Sequence, residues 1–215
     1  MRRRSADNEE LADRLLKRFG YNEPIFTEEI IDIWNEYSRS RVFQLLKEMQ
    51  EEGIIEKDGR NVYYFPTLIS TGEKMILGRQ QLIDRKYIYH GEEIFGYYSG
   101  PKLLNGLHLI TQMPFQIELV TSNTSAKVRK VKVKNFEITV RKSKVKINKN
   151  NVYALMLLEA FTDMRRPLEG QEIEDMREFV RLRNIKEKDV LRYSRHFPIY
   201  TLNNILETGL DNVFA

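Results

Sequence analysis

Apolar residues recur at helical spacing through Ser38–Glu52, SRSRVFQLLKEMQEE. Val42, Leu45, Leu46 and Met49 fall at i, i+3, i+4 and i+7, so the stretch predicts an amphipathic helix with one buried stripe. Ser38 is its expected N-cap, and Gly53 follows its end. Ser40, Gln44 and Lys47 lie on the opposite face, with Arg41 on its flank. Two helical patterns precede it. Residues 7–19 carry Leu11, Leu15, Leu16 and Phe19 on one side, with Asp7 as the expected cap and Gly20 as the stop. Tyr21–Phe26 reads as a loop. Thr27–Tyr37 is expected to be capped by Thr27 and to bury Ile30, Ile31, Ile33 and Trp34. After the third helix, GIIEKDGRNVYYFP predicts two strands joined by a two-residue turn at Asp58-Gly59. Helix, helix, helix and hairpin in this order predict a winged helix-turn-helix.

The remaining pattern is mixed. Ser70-x-x-Glu73 has the form of a capping box and predicts a helix over Ser70–Arg85. Tyr87 and Tyr89 look strand-like. A short helix is expected over Ser99–Leu107 and a strand over Phe115–Thr121. Residues 127–147 alternate with period two: Val131, Val133, Phe136, Ile138 and Val140 are set against Lys130, Lys132, Lys134, Glu137 and Arg141. Two strands with a turn or bulge near Asn135 follow, with one apolar and one basic face. Asn151–Met164 is apolar all round and predicts a buried helix. Glu169–Arg183, Lys186–Arg195 and Tyr200–Thr208 complete the helices. The expected fold class is α+β: an N-terminal winged helix-turn-helix, then a mixed α/β C-terminal domain with a basic β-hairpin and terminal helices. The expected domains are residues 1–69, a linker helix over 70–90, and a C-terminal domain over 91–215.

Composition narrows the class. The chain has 215 residues, 41% hydrophobic and 31% charged, which suits a folded globular protein rather than a disordered one. No apolar run approaches the roughly 18–20 residues of a membrane span. Arg2, Arg3 and Arg4 precede acidic polar sequence, which argues against a secretory signal. Without cysteine there is no disulfide and no thiolate-bound zinc, and a cytoplasmic location is expected. The net charge of +4 is unevenly spread. Residues 1–69 carry 11 basic and 14 acidic side chains, whereas 124–149 carry ten basic and one acidic. The positive field therefore lies outside the expected DNA reader.

The candidate DNA contacts are Ser38, Arg39, Ser40, Arg41, Gln44 and Lys47 on the third helix, with Arg39 toward phosphate, and Arg60 and Asn61 in the wing. All are side chains that donate to base edges or phosphates. Glu48 and Glu51, toward the helix C-terminus, imply that its N-terminal half enters the groove. The basic segment comprises Lys127, Arg129, Lys130, Lys132, Lys134, Arg141, Lys142, Lys144 and Lys146. It has three open explanations: a solvated lysine-rich edge that resists aggregation, a phosphate-contacting surface, or a docking face for an acidic partner.

Enzyme chemistry finds little support. His90, His108 and His196 show no metal-ligand spacing. The sequence has no P-loop, no G-x-G-x-x-G and no G-x-S-x-G. Glu118, Glu137 and Lys142 could mimic a carboxylate–lysine nuclease site, but such a site needs two close carboxylates on a hard cation. No catalytic residue, metal or cofactor is expected.

GYYSGPKLLNGLHLITQMPFQIELVT, at residues 96–121, resembles the signature of the AbiEi-type antitoxins, which are transcriptional regulators of type IV toxin–antitoxin, or abortive-infection, systems. The matching features are Tyr97-Tyr98-Ser99-Gly100, then Leu103, Leu104 and Leu107, then Leu109-x-Thr111-Gln112-x-Pro114 before a strand. The resemblance implies a repressor that binds inverted repeats in double-stranded DNA upstream of its own operon, and a C-terminal domain that counteracts a nucleotidyltransferase-like toxin. The net-acidic N-terminal part departs from that pattern. Two other classes stay open: a stand-alone regulator whose C-terminal domain senses a ligand or dimerises, and, less favoured, a nucleic-acid-processing enzyme that uses the basic sheet.

Overall fold

The computed structural model describes residues 2–112, 115–210 and 214, and side chains from residue 8 onward within that set. The protein is mixed α+β and divides into two compact units, Met1–Leu82 and Ile83–Ala215.

In the N-terminal unit, α1 (Arg2–Phe19) starts five residues before the expected cap. Asp7 lies within the helix, and its side chain is outside the described residues. The Gly20 N–H bonds to the Leu16 carbonyl at 2.8 Å, and its φ of +81° closes the helix as only glycine does cheaply. The expected loop Tyr21–Phe26 contains a two-residue strand, β1 (Ile25–Phe26), too short to show a period. Next come α2 (Thr27–Ile33) and α3 (Arg39–Glu51). Thr27 is not the cap of α2. Phe26 holds that position, its N–H bonding Glu29 Oε2 at 2.9 Å, while the Thr27 hydroxyl is buried without a hydrogen-bond partner. Helix α2 also stops short of Tyr37, because Trp34 leaves helical geometry (φ −99°, ψ 41°). Ser38 does cap α3, accepting the Arg41 N–H at 3.3 Å, and beyond α3 Gly53 has φ +74°.

Strands β2 (Glu56–Lys57) and β3 (Val62–Tyr64) complete an antiparallel sheet ordered β1-β3-β2. The hairpin differs from the expected two-residue turn. Lys57 pairs with Tyr63, and the Asp58 N–H reaches the Val62 carbonyl at 2.9 Å, so the connection is Gly59–Asn61 with Arg60 at its tip. Trp34, Val42, Leu46 and Met49 are wholly buried with Ile25, Ile30 and Tyr63 in one core.

The helix expected over Ser70–Arg85 is only α4 (Arg79–Tyr87). Leu68 bridges Lys74 around Gly72 (φ +83°), and the Ile69 N–H bonds the Glu73 carbonyl. Glycines at 72 and 78 make continuous helix expensive there. Tyr87 is accordingly the buried end of a helix rather than part of a strand.

The C-terminal unit opens with the hairpin β4 (Tyr89–His90) and β5 (Glu93–Ile94). Four strands form its main sheet: β6 (Gly96–Ser99), β7 (Ile117–Thr121), β8 (Val128–Val133) and β9 (Phe136–Lys142). Their order is β6-β7-β9-β8, with β7 and β9 parallel and the other pairs antiparallel. Helix α5 (Pro101–Gly106) leads out of β6. Helix α6 (Val152–Met164) is the expected buried element, surrounded by α7 (Gln171–Leu182), α8 (Glu187–Ser194) and α9 (Ile199–Glu207). One sheet face packs Ile117, Leu119, Ile138 and Val140 against Ile83 and Tyr87. On the other, Tyr97 and Val120 pack against Val152 and Leu155 of α6, which leaves the β8 side open.

Candidate nucleic-acid interface

Burial of Val42, Leu45, Leu46 and Met49 turns the opposite face of α3 outward. Ser38, Arg39, Ser40, Gln44 and Lys47 are exposed, and Arg41 is half-buried. The cations of this face each hold a carboxylate. Arg39 Nη2 lies 2.6 Å from Glu28 Oε1 on α2. Arg41 Nη1 lies 3.4 Å from Glu48 and 3.4 Å from the Gln44 side-chain oxygen. Lys47 pairs with Glu51 at 3.6 Å. Exposed pairs of this kind contribute about 0–1 kcal/mol each, so a phosphate oxygen can replace the carboxylate at small cost. They also explain how a net-acidic unit keeps donors aimed outward without a basic field.

Phe43 was not among the expected contacts. It is 42% exposed on the flank of this face, and the Arg39 guanidinium sits 5.9 Å from its ring centroid. The signal was legible: position 43 stands about 100° from the apolar stripe at one residue's rotation, where a phenylalanine has no core to enter. Such a ring can meet a thymine methyl in a major groove. At the hairpin tip Arg60 and Asn61 are both exposed. The Asn61 carbonyl accepts the Thr27 N–H at 3.1 Å, which ties the tip to the start of α2.

The basic segment does not form one patch. Lys134 and Asn135, with φ of 46° and 62°, make a two-residue left-handed turn between β8 and β9. Lys130 and Lys132 lie on the open face beside Glu137, with Lys130 Nζ 2.9 Å from Glu137 Oε1. Lys127, Lys130, Lys132 and Lys134 are exposed along this edge. Arg129 and Lys142 fall on the apolar side by strand alternation, and Arg129 Nη2 donates to the Tyr87 hydroxyl at 3.4 Å. Lys144 donates to the His196 carbonyl at 2.6 Å. Arg141 leaves the surface array altogether: it turns toward α6 and forms an ion pair with Glu159.

That pair belongs to a buried polar cluster which the sequence did not announce. The Tyr97 hydroxyl lies 3.5 Å from Glu159, and Asp163, one turn further along α6, accepts the Gly100 N–H at 2.9 Å. Burial pushes the Tyr97 phenol well above its ordinary value. Burial, and then the charge of Glu159, pushes Asp163 up to about 6. The cluster gives the Tyr97–Gly100 motif a structural task. Gly100 adopts φ 60°, ψ −149°, open to glycine alone, and so turns its N–H from the end of β6 onto Asp163. Leu103, Leu104, Leu107 and Leu109 are buried behind it, while Pro114 lies outside the described residues.

The nuclease-like trio is not assembled. Glu118 and Glu137 share the sheet face that carries Thr139, but alternation puts Lys142 on the other face, and Glu137 is held by Lys130. No group of three His, Asp or Glu side chains among the described residues is placed to hold a metal ion. No described helix is long and apolar enough to cross a membrane. No protein-family model matches the chain, and no curated protein matches it significantly.

Proposed function

We propose that the N-terminal unit is a winged helix-turn-helix that reads double-stranded DNA through α3, and that the protein is a transcriptional repressor of the AbiEi type, the antitoxin of a type IV toxin–antitoxin pair. The observation that carries the DNA reading is the outward face of α3. Ser40, Arg41, Phe43, Gln44 and Lys47 stand together there, while the opposite stripe of the same helix is wholly buried. The order α1-β1-α2-α3-β2-β3, with Arg60 at the hairpin tip, supports a wing beside that helix. In this arrangement the recognition helix lies in the major groove with its N-terminal residues at base edges. Arg39 and Arg60 contact phosphate, and Gln44 makes the bond most selective among bases, an amide pairing with adenine. The antitoxin role rests on the resemblance of residues 96–121.

The test is titration of the full chain onto labelled duplex from its own upstream region, beside a scrambled duplex, at two salt concentrations. Binding that survives the higher salt and fails on the scrambled duplex supports a sequence-specific regulator. Equal, salt-sensitive binding to both leaves only counterion release and refutes specific recognition. Gln44→Ala is then expected to lose about 1–3 kcal/mol of operator affinity with an unchanged melting curve. The antitoxin part is tested separately, by growth rescue when the chain is co-expressed with a nucleotidyltransferase encoded beside it.

A further inference from the structure

The C-terminal unit contains a cavity of about 780 Å³, walled in part by Leu103 and Leu107 of the stretch that carries the antitoxin resemblance. It is an open cleft rather than an enclosed void, and its volume lies within the roughly 300–1,000 Å³ of small-molecule sites. Its walls are apolar: Leu103 and Leu107 from α5, Val152 and Met156 from α6, and Phe179 from α7. The β4–β5 hairpin contributes Ile94 and, at its turn, Gly91 and Glu92. The lining cations are Lys102, Lys149 and Arg183, against the single carboxylate of Glu92.

Two of these cations are pre-positioned on aromatic rings. Arg183 sits 4.7 Å from the Tyr153 centroid, and its Nη1 donates to the Tyr153 hydroxyl at 3.4 Å. Tyr153 is in turn braced edge-on by Phe179, with centroids 6.2 Å apart at 80°. Lys102 Nζ stands 3.7 Å from the Tyr98 centroid. A ring fixes the position of a cation without neutralising it, so Arg183, held this way, keeps its attraction for an anion.

We infer that this cavity is a binding site for an amphipathic organic anion: an apolar or aromatic body among Leu103, Leu107, Met156 and Phe179, with a carboxylate, sulfonate or phosphate head at Arg183 and Lys149. The site stands whether or not the N-terminal unit binds DNA. The apolar walls supply affinity, and the excess of cations supplies the choice of anion over neutral ligand.

The experiment uses the full chain with two fluorescent probes of the same aromatic body, 1-anilinonaphthalene-8-sulfonate and its uncharged counterpart N-phenyl-1-naphthylamine. The sulfonate is expected to bind at one site and more tightly than the neutral dye. Lys149→Gln with Arg183→Gln should weaken the sulfonate by about tenfold and the neutral dye by less than about twofold, since the change removes charge and leaves the apolar walls. Gly106→Trp should weaken both, because Gly106 lines the cavity and a Cβ there meets no atom within 4 Å. Melting curves identify any misfolded variant, for which Gly106→Phe is substituted. Equal binding of the two dyes, more than one site, or binding unaffected by filling at Gly106 overturns the proposal.

Discussion

Asp163 offers a direct test of the buried cluster. Its carboxyl is pushed up to about 6 from an ordinary 3.8, by burial first and by the charge of Glu159 second, with the Gly100 N–H and Arg141 opposing. A carboxyl raised in the folded state binds its proton more tightly there than in the unfolded chain. Stability is therefore full below the unfolded value, falls as pH rises from about 4 through about 6, and stays lower above that. The shift corresponds to at most about 3 kcal/mol at 1.36 kcal/mol per pH unit. Asp163 keeps partial access to solvent, whose screening leaves roughly 1–2 kcal/mol. Asp163→Asn removes the charge but keeps an oxygen for the Gly100 N–H, which Asp163 accepts at 2.9 Å. The variant should thus exceed the parent by about 1–2 kcal/mol near pH 7.5 and lose most of that advantage near pH 4. Urea unfolding of the full chain measures this, followed by near-ultraviolet circular dichroism of the tyrosines, because Trp34 reports on the N-terminal unit. A variant less stable than the parent near pH 7.5 would show that Arg141 holds Asp163 ionised, and a gain equal at both pH values would show that titration of this carboxyl does not produce the difference; either result refutes the reasoning.

Other substitutions probe the interface and the fold. Glu48→Gln frees Arg41 from its 3.4 Å pair; folding should change by less than about 1 kcal/mol, while operator affinity rises several-fold, and weaker binding would count against α3 as the reader. Charge reversal at Lys130 and Lys132 should lower the log–log salt slope of DNA binding by about 0.9 for each phosphate that is no longer neutralised; an unchanged slope removes the β8 edge from the DNA surface. Gly96→Ala should destabilise severely, by more than about 2 kcal/mol, because its Cβ would stand 1.9 Å from the Tyr87 carbonyl oxygen, a backbone atom that cannot swing aside; a melting temperature within a degree or two of the parent would contradict the close approach of β6 to α4.

Local chemistry was readable where one element decides its own outcome. The apolar stripe of α3, its Ser38 cap, the glycine beyond its end and the mostly apolar α6 are properties of consecutive residues, fixed by helical period and by the cost of exposing hydrocarbon. The alternation in β8 and β9 is equally local, and the helices expected after Asn151 begin and end within two residues of those observed. The outward face of α3 could be inferred for the same reason: once one stripe is buried, the opposite face is set by geometry.

Matters that depend on what lies beside a residue were not readable. Two residues of β1 carry no period, and only pairing with β3 makes them a strand. The capping-box pattern at Ser70 lost to a glycine turn, and the two-residue turn expected at Asp58-Gly59 lost to the register that β3 takes against β1 and β2. Arg141 reads as one more cation in a basic run until α6 brings Glu159 beneath it. The cavity has no sequence signature at all, since its walls run from Ile88 to Arg183, 95 positions apart. Period and propensity act between neighbours in sequence, whereas burial, charge pairing and empty space act between neighbours in space, and only the folded chain states which those are.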